Sequence, residues 1–212
     1  YTDGRHPDSV TFTPDLIEDL KRRDFTINAM AYNRDRGLVD AFGGRKDLED
    51  GVIRCVGAAE ERFTEGALRI LRAIRFSAQF GFEIEEHTEN AIKKSAPNLV
   101  HVSRERVQVE LTKLLISPLP GRIRQVYETG ISPWVSETFH RIPEISGGSC
   151  FHIPSSVPAE KSLRWAVFMR KCAPKEAVLV LKALKLDNDT ISRVKTLVQW
   201  LKVSLCGEPK ED

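Results

Sequence analysis

Two arginine-rich segments carry the side chains best suited to chemistry. Arg22 and Arg23 precede Asp24, and Asn28 follows shortly after. Guanidinium forks match phosphate oxygens in planar, two-pronged geometry. A carboxylate and an amide can bond ribose hydroxyls. The same residues also fit a plain helix start, with Asp24 as cap and the arginines solvated. In the second segment Arg69, Arg72 and Arg75 recur at every third residue after Glu65 and Gly66. Three helical residues turn through about 300°, so the arginines form a slanting basic stripe. Such a stripe could hold a triphosphate. The alternative is a solvated face making ion pairs four residues apart. Few acids are placed to pair with it, which favours a bound anion.

Other segments fit supporting roles. Gly43 and Gly44 permit a sharp, mobile turn after a β-like run, a plain loop for catalysis and at most a hinge. Glu105, Arg106 and Glu110 fit ion pairs that brace the basic helix. Asp187-Asn188-Asp189 spells a metal-binding DxD, but in a late helix connection it reads as a cap. His87, His101, His140 and His152 are scattered, and the cysteines Cys55, Cys150, Cys172 and Cys206 lack metal spacing. Reduced thiols and a cytoplasmic location are expected, with no metal bound by this chain.

These residues need elements to position them. Val10–Phe12 reads as a strand end, Asp15–Arg23 as a short helix and Phe25–Asn33 as a packed helix. Leu38–Phe42 and Val52–Val56 are strand candidates. From Thr64 to Phe80, apolar residues at Leu68, Leu71, Ile74 and Ala78 mark one helix face. Further helices fit Glu85–Ser95, Ser103–Leu115, Leu119–Glu128, Glu160–Lys171, Lys175–Leu184 and Asp189–Trp200. Ser132–Pro158, rich in Pro, Gly and Ser, reads as a linker or long loop.

Bulk properties are ordinary. The 212 residues are 41% hydrophobic and 29% charged, with a net charge of +2, so charge neither requires nor excludes a nucleic-acid partner. No apolar run is long enough for a membrane span. The first residue, Tyr1, is not Met, which suggests the middle of a longer protein.

In order, RRDFTINA (22–29), FGGRKDL (42–48), IRCVG (53–57), RFTEGALRILRAIRF (62–76) and SRERVQVE (103–110) resemble the bacterial CCA-adding enzyme and poly(A) polymerase family of the polymerase-β superfamily. The likeness runs from Tyr1 to about Leu115, and more weakly to about Leu201. It implies a mostly α fold: a small β-containing remnant of a nucleotidyltransferase head (1–62), a helical neck that recognises the nucleotide (63–130) and part of a helical body that binds tRNA (131–212). By the same resemblance Arg23 contacts the phosphates, with Asp24 and Asn28 near the ribose. Arg69 offers donors to the base edge, and Arg72 and Arg75 hold the triphosphate. Gly43 and Gly44 become the element that adapts the pocket between CTP and ATP.

The implied partners are ATP, CTP and the tRNA acceptor arm, with no membrane and no protein partner. Arg122, Arg124, Lys182, Lys185 and Arg193 are candidate phosphate contacts by charge. The implied cofactor, Mg2+, belongs to a glycine-rich loop and DxD strand that the family carries earlier and this sequence lacks, so the chain alone is expected to add no nucleotide. Gly66 stands where the family has Asp, which implies weaker discrimination between CTP and ATP. Rival readings are a poly(A), A-only or CC-only enzyme, a non-catalytic helical RNA-binding module, and a purely structural helical domain.

Overall fold

The computed structural model describes residues 15–206 apart from Arg36, with side chains as far as Leu201. The strand end expected at Val10–Phe12 lies outside the described residues. The fold is mostly helical with a few short strands.

Helix α1 (Leu16–Lys21) starts where Asp15 accepts a bond from the Ile17 amide at 2.8 Å, which satisfies an otherwise orphaned donor. The helix expected over Phe25–Asn33 is instead a single 3-10 turn (Thr26–Asn28) followed by strand β1 (Ala31–Asn33). Tertiary bonds outcompete the helix here. The Thr26 amide donates to Arg54 O at 2.9 Å, and its hydroxyl donates to Asp47 at 2.6 Å. Strand β1 pairs antiparallel with β2 (Gly37–Val39), with Tyr32 opposite Leu38. The strand expected over Leu38–Phe42 stops at Val39.

Helix α2 (Gly44–Asp50) follows, started by Asp40, whose carboxylate accepts from the Gly44 and Arg45 amides at 2.8 and 2.9 Å. Burial pushes the Asp40 carboxyl up, but amide donation, Arg45 foremost, outweighs it and holds the group below its usual range.

Strand β3 (Val52–Ile53) leads to α3 (Ala59–Glu65), and α4 (Leu68–Phe80) carries the basic stripe. The single helix expected over Thr64–Phe80 is therefore two, divided at Gly66, whose backbone is extended (φ −161°, ψ 89°). Strand β4 (Glu83–Ile84) pairs parallel with β3. Then come α5 (Glu86–Ser95), a 3-10 turn (Ala96–His101) and α6 (Arg104–Leu115). A 3-10 turn (Pro120–Ile123) runs into α7 (Arg124–Glu128).

The long loop expected over Ser132–Pro158 is largely helical: α8 (Ser132–Val135), α9 (Glu137–His140), α10 (Ile142–Ser146) and a 3-10 turn (Ser149–Phe151). Its Pro and Gly residues punctuate short helices rather than dissolve them. Proline occupies the first turns of α8 and α10, and left-handed Gly147 ends α10. Val135, Phe139, Ile142 and Cys150 anchor the stretch in the core.

Helices α11 (Lys161–Phe168), α12 (Pro174–Ala183) and α13 (Asn188–Cys206) complete the array. Asp187 caps α13, accepting from the Thr190 amide and hydroxyl at 2.8 Å each and from Lys161 at 2.6 Å. The Lys161 bond, then those of Thr190, hold its carboxyl well below the usual range. One continuous apolar cluster runs from Phe25 to Val198. Among the described residues no helix is long and apolar enough to cross a membrane.

Candidate nucleotide-binding trough

Helix α4 buries Ile70, Leu71, Ala73 and Ile74, and that face fixes where its arginines point. Arg72 reaches back to the segment after α1: its Nε and Nη2 both lie 2.6 Å from Asp24 Oδ2. Asp24 is buried, and its other oxygen accepts from the Phe25 amide at 3.1 Å and Asn28 Nδ2 at 3.4 Å. Arg69 donates to Arg22 O at 2.9 Å, to Arg62 O at 2.9 Å and to Glu65 Oε2 at 3.1 Å. Arg62 donates to Lys21 O at 3.3 Å and to Glu65 Oε1 at 2.7 Å. The last carbonyls of α1, which have no partner within the helix, thus receive guanidinium donors. Arg23 donates to Asn28 O at 3.0 Å.

These groups border a trough of about 1520 Å3. It brings together Arg23, Asp24, Asn28, Glu65, Gly66, Arg69, Arg72 and Arg106 of the residues singled out from sequence. Lys21, Arg22 and Arg62 add to the lining, so seven Lys and Arg side chains face three carboxylates. The excess of positive charge suits a polyanion such as a triphosphate. Asn98, His101 and Val102 also line it, and sequence reasoning missed them. A Cβ placed on Gly66 would meet Arg69 Nε at 3.8 Å, an ordinary contact, so the trough has room for a side chain there.

Several sequence expectations need correction. Arg75 does not line the trough: it is 7% exposed, donates to Glu110 at 2.6 Å and to Gln79 at 2.6 Å, and lies 3.9 Å from the Phe76 ring centre. The stripe turns far enough over six residues to send its third member into the core. Nor does the stripe lack acid partners, because Arg69 meets Glu65, Arg72 meets Asp24 and Arg75 meets Glu110. Glu105 reaches Lys185 at 3.3 Å.

Gly43 and Gly44, read from sequence as at most a hinge, stand at the start of α2. Gly43 is left-handed (φ 74°), and a Cβ on Gly44 would lie 2.2 Å from Thr26 O, so α2 is seated tightly against the 3-10 turn. Arg122 is bonded to Ser77 Oγ, Phe82 O and Glu83.

Among the described residues no three His, Cys, Asp or Glu side chains are grouped to hold a metal ion. Of the trough's carboxylates, Asp24 and Glu65 are bonded to guanidinium groups. That donor set does not fit a Mg2+ site.

Residues 1–54 match the family described as "Poly A polymerase head domain", and residues 81–140 match "Probable RNA and SrmB- binding site of polymerase A". The fold is shared with nucleotidyltransferases, and α3 and α4, which border the trough, lie between the two matched segments. The chain is 38% identical over 202 residues to the CCA-adding enzyme of Geobacillus kaustophilus, covering 95% of this chain and 50% of that one. It superposes on the Bacillus stearothermophilus CCA-adding enzyme in complex with CTP with a TM-score of 0.79 at 34% identity, covering 91% of this chain and 49% of the other. For the Thermotoga maritima CCA-adding enzyme complexed with tRNA the TM-score is 0.62 at 28% identity, covering 90% and 50%. The chain belongs to the CCA-adding enzyme and poly(A) polymerase family. It spans about half the length of the curated relatives it matches.

Proposed function

We propose that this chain is the nucleotide-selecting and RNA-holding part of an enzyme that adds CCA to tRNA 3′ ends from CTP and ATP without a template. Residues 1–62 act as the end of the head, 63–130 as the neck and 131–212 as part of the body. The observation that carries the reading is the meeting of Arg23, Arg69 and Arg72 at one trough. Guanidinium groups there are already oriented by carbonyls and by Asp24 and Glu65, so a triphosphate meets preorganised donors rather than floppy ones. Arg69 lies beside the open space at Gly66, where a base edge can approach it. Selection then rests on matched donors and acceptors, because a buried unpaired group is costly.

The CTP complex of the Bacillus relative and the tRNA complex of the Thermotoga relative support these ligands by likeness. The Mg2+ ions that phosphoryl transfer uses would be held outside the described residues, and the chain alone adds no nucleotide. The buried thiols of Cys55 and Cys150 suit a reducing, cytoplasmic setting. Titrating the chain with CTP and ATP, and then its Arg69→Ala variant, tests the reading. Affinity should fall about tenfold or more for both nucleotides; equal affinity in variant and parent contradicts the assignment.

A further inference from the structure

The trough has a wall that the arginine cluster does not supply. Asn98, His101 and Val102 reach it from the 3-10 turn Ala96–His101 and the residue after it, and Arg106 from the first turn of α6. None of these elements carries Arg23, Arg69 or Arg72. Those arginines, with Asp24 and Glu65, are bonded within the protein. The side chains of Asn98 and His101, by contrast, have no hydrogen-bond or ion-pair partner among the described residues. An amide with both donor and acceptor, a flat imidazole and an apolar neighbour are thus presented to one cavity.

Size points the same way. A pocket for one small molecule occupies about 300–1,000 Å3, and this trough measures about 1520 Å3. It has space for a second nucleotide unit. Unstacked bases at RNA ends are held by flat side chains, histidine among them, and by hydrogen bonds to their edges. Arg106 adds positive charge beside these groups for the strand's phosphates.

We propose that Asn98 and His101 hold the 3′-terminal nucleotide of the RNA strand awaiting extension, with the imidazole stacked on its base and the amide bonded to the base edge. The proposal rests on the nucleotide-adding function above. The strand end and the incoming triphosphate then share one cavity, each held by its own set of side chains.

The test measures binding of two RNA hairpins at fixed salt, one with a single-stranded 3′ overhang ending in CC and one blunt. His101→Ala and Asn98→Ala should each weaken the overhang hairpin about tenfold. The blunt hairpin and CTP should stay within about twofold of the parent. His101→Phe, which keeps a flat ring, should restore overhang binding. Both positions are polar and accessible, so unfolding curves should match the parent and exclude misfolding as the cause. Unchanged overhang affinity in both alanine variants overturns the proposal, and so does a loss of CTP affinity as large as the loss of RNA affinity. Failure of the parent chain to bind CTP overturns the functional reading and this proposal with it. A parent that binds CTP and RNA without preferring the overhang overturns this proposal alone.

Discussion

Around the trough, helices meet through charge-assisted hydrogen bonds; from Tyr127 to Phe168 they meet through aromatic rings. In the first region Arg72 clasps Asp24, Arg69 and Arg62 hold the end of α1, and Arg75 is buried on Glu110. In the second, the Tyr127 ring lies 5.3 Å from both Phe139 and Phe151, and Phe168 lies 5.9 Å from Phe139 and 6.1 Å from Trp165. Burial pushes the Tyr127 hydroxyl far above its usual range, so it stays neutral. Aromatic packing supplies stability at no electrostatic cost. A binding trough cannot be filled in that way, because it must keep polar donors near solvent. Guanidinium groups solve the problem by bracing backbone carbonyls with some donors while leaving others for a ligand. Stability and binding should therefore separate under mutation.

The strongest break of that comparison is Phe139→Ala. It removes a fully buried ring and should cost about 3–5 kcal/mol in denaturant unfolding, while the folded fraction binds CTP as the parent does. A matching loss of intrinsic CTP affinity would show that the two regions are not separable.

Next comes Gly44→Ala. Its Cβ would collide with Thr26 O, and overpacking of this kind costs about 1–3 kcal/mol. Unchanged stability would show instead that α2 can shift away from the 3-10 turn without cost.

A smaller effect concerns Cys55. Burial, then the nearby Asp24 charge, pushes this thiol up to about 12 from an ordinary 9.0. The unfolded thiol ionises first, so the folded state holds more protons over that interval. The contribution of this group is fully present below about pH 9 and is lost as pH rises toward about 12. Cys55→Ala should flatten the alkaline limb of the stability profile; an unchanged limb would contradict the assignment.

The smallest stability effect is expected for Gly66→Asp. The backbone there is extended and the added atoms have room, so unfolding should shift by about 0.5 kcal/mol or less. The ratio of CTP to ATP affinity should change, because an acceptor now stands beside Arg69. An unchanged ratio would remove position 66 from base selection.

Much of the trough was legible in sequence because its residues sit in two short motifs. Arg23, Asp24 and Asn28 fall within one turn-rich segment, and Glu65, Gly66, Arg69 and Arg72 within another. What was not legible lay between segments. Asp24 is 48 residues from its partner Arg72, and Glu110 is 35 from Arg75, so a search along the segment finds only Glu65, the partner of Arg69. A lone histidine such as His101 carries no local signal; only the fold shows it at a cavity. The helices of Ser132–Pro158 were hidden because Pro and Gly mark helix ends as readily as loops. Buried Phe139 and Ile142 were the available clue.

Two arginines on one helix test the central claim most directly. CTP affinity is measured for Arg72→Ala, whose parent side chain lines the trough, and for Arg75→Lys, whose parent side chain is buried away from it. The account predicts a loss of about tenfold or more for Arg72→Ala and a change within about twofold for Arg75→Lys once both are corrected for folded fraction. Equal losses in the two variants, or a larger loss at Arg75, would contradict it.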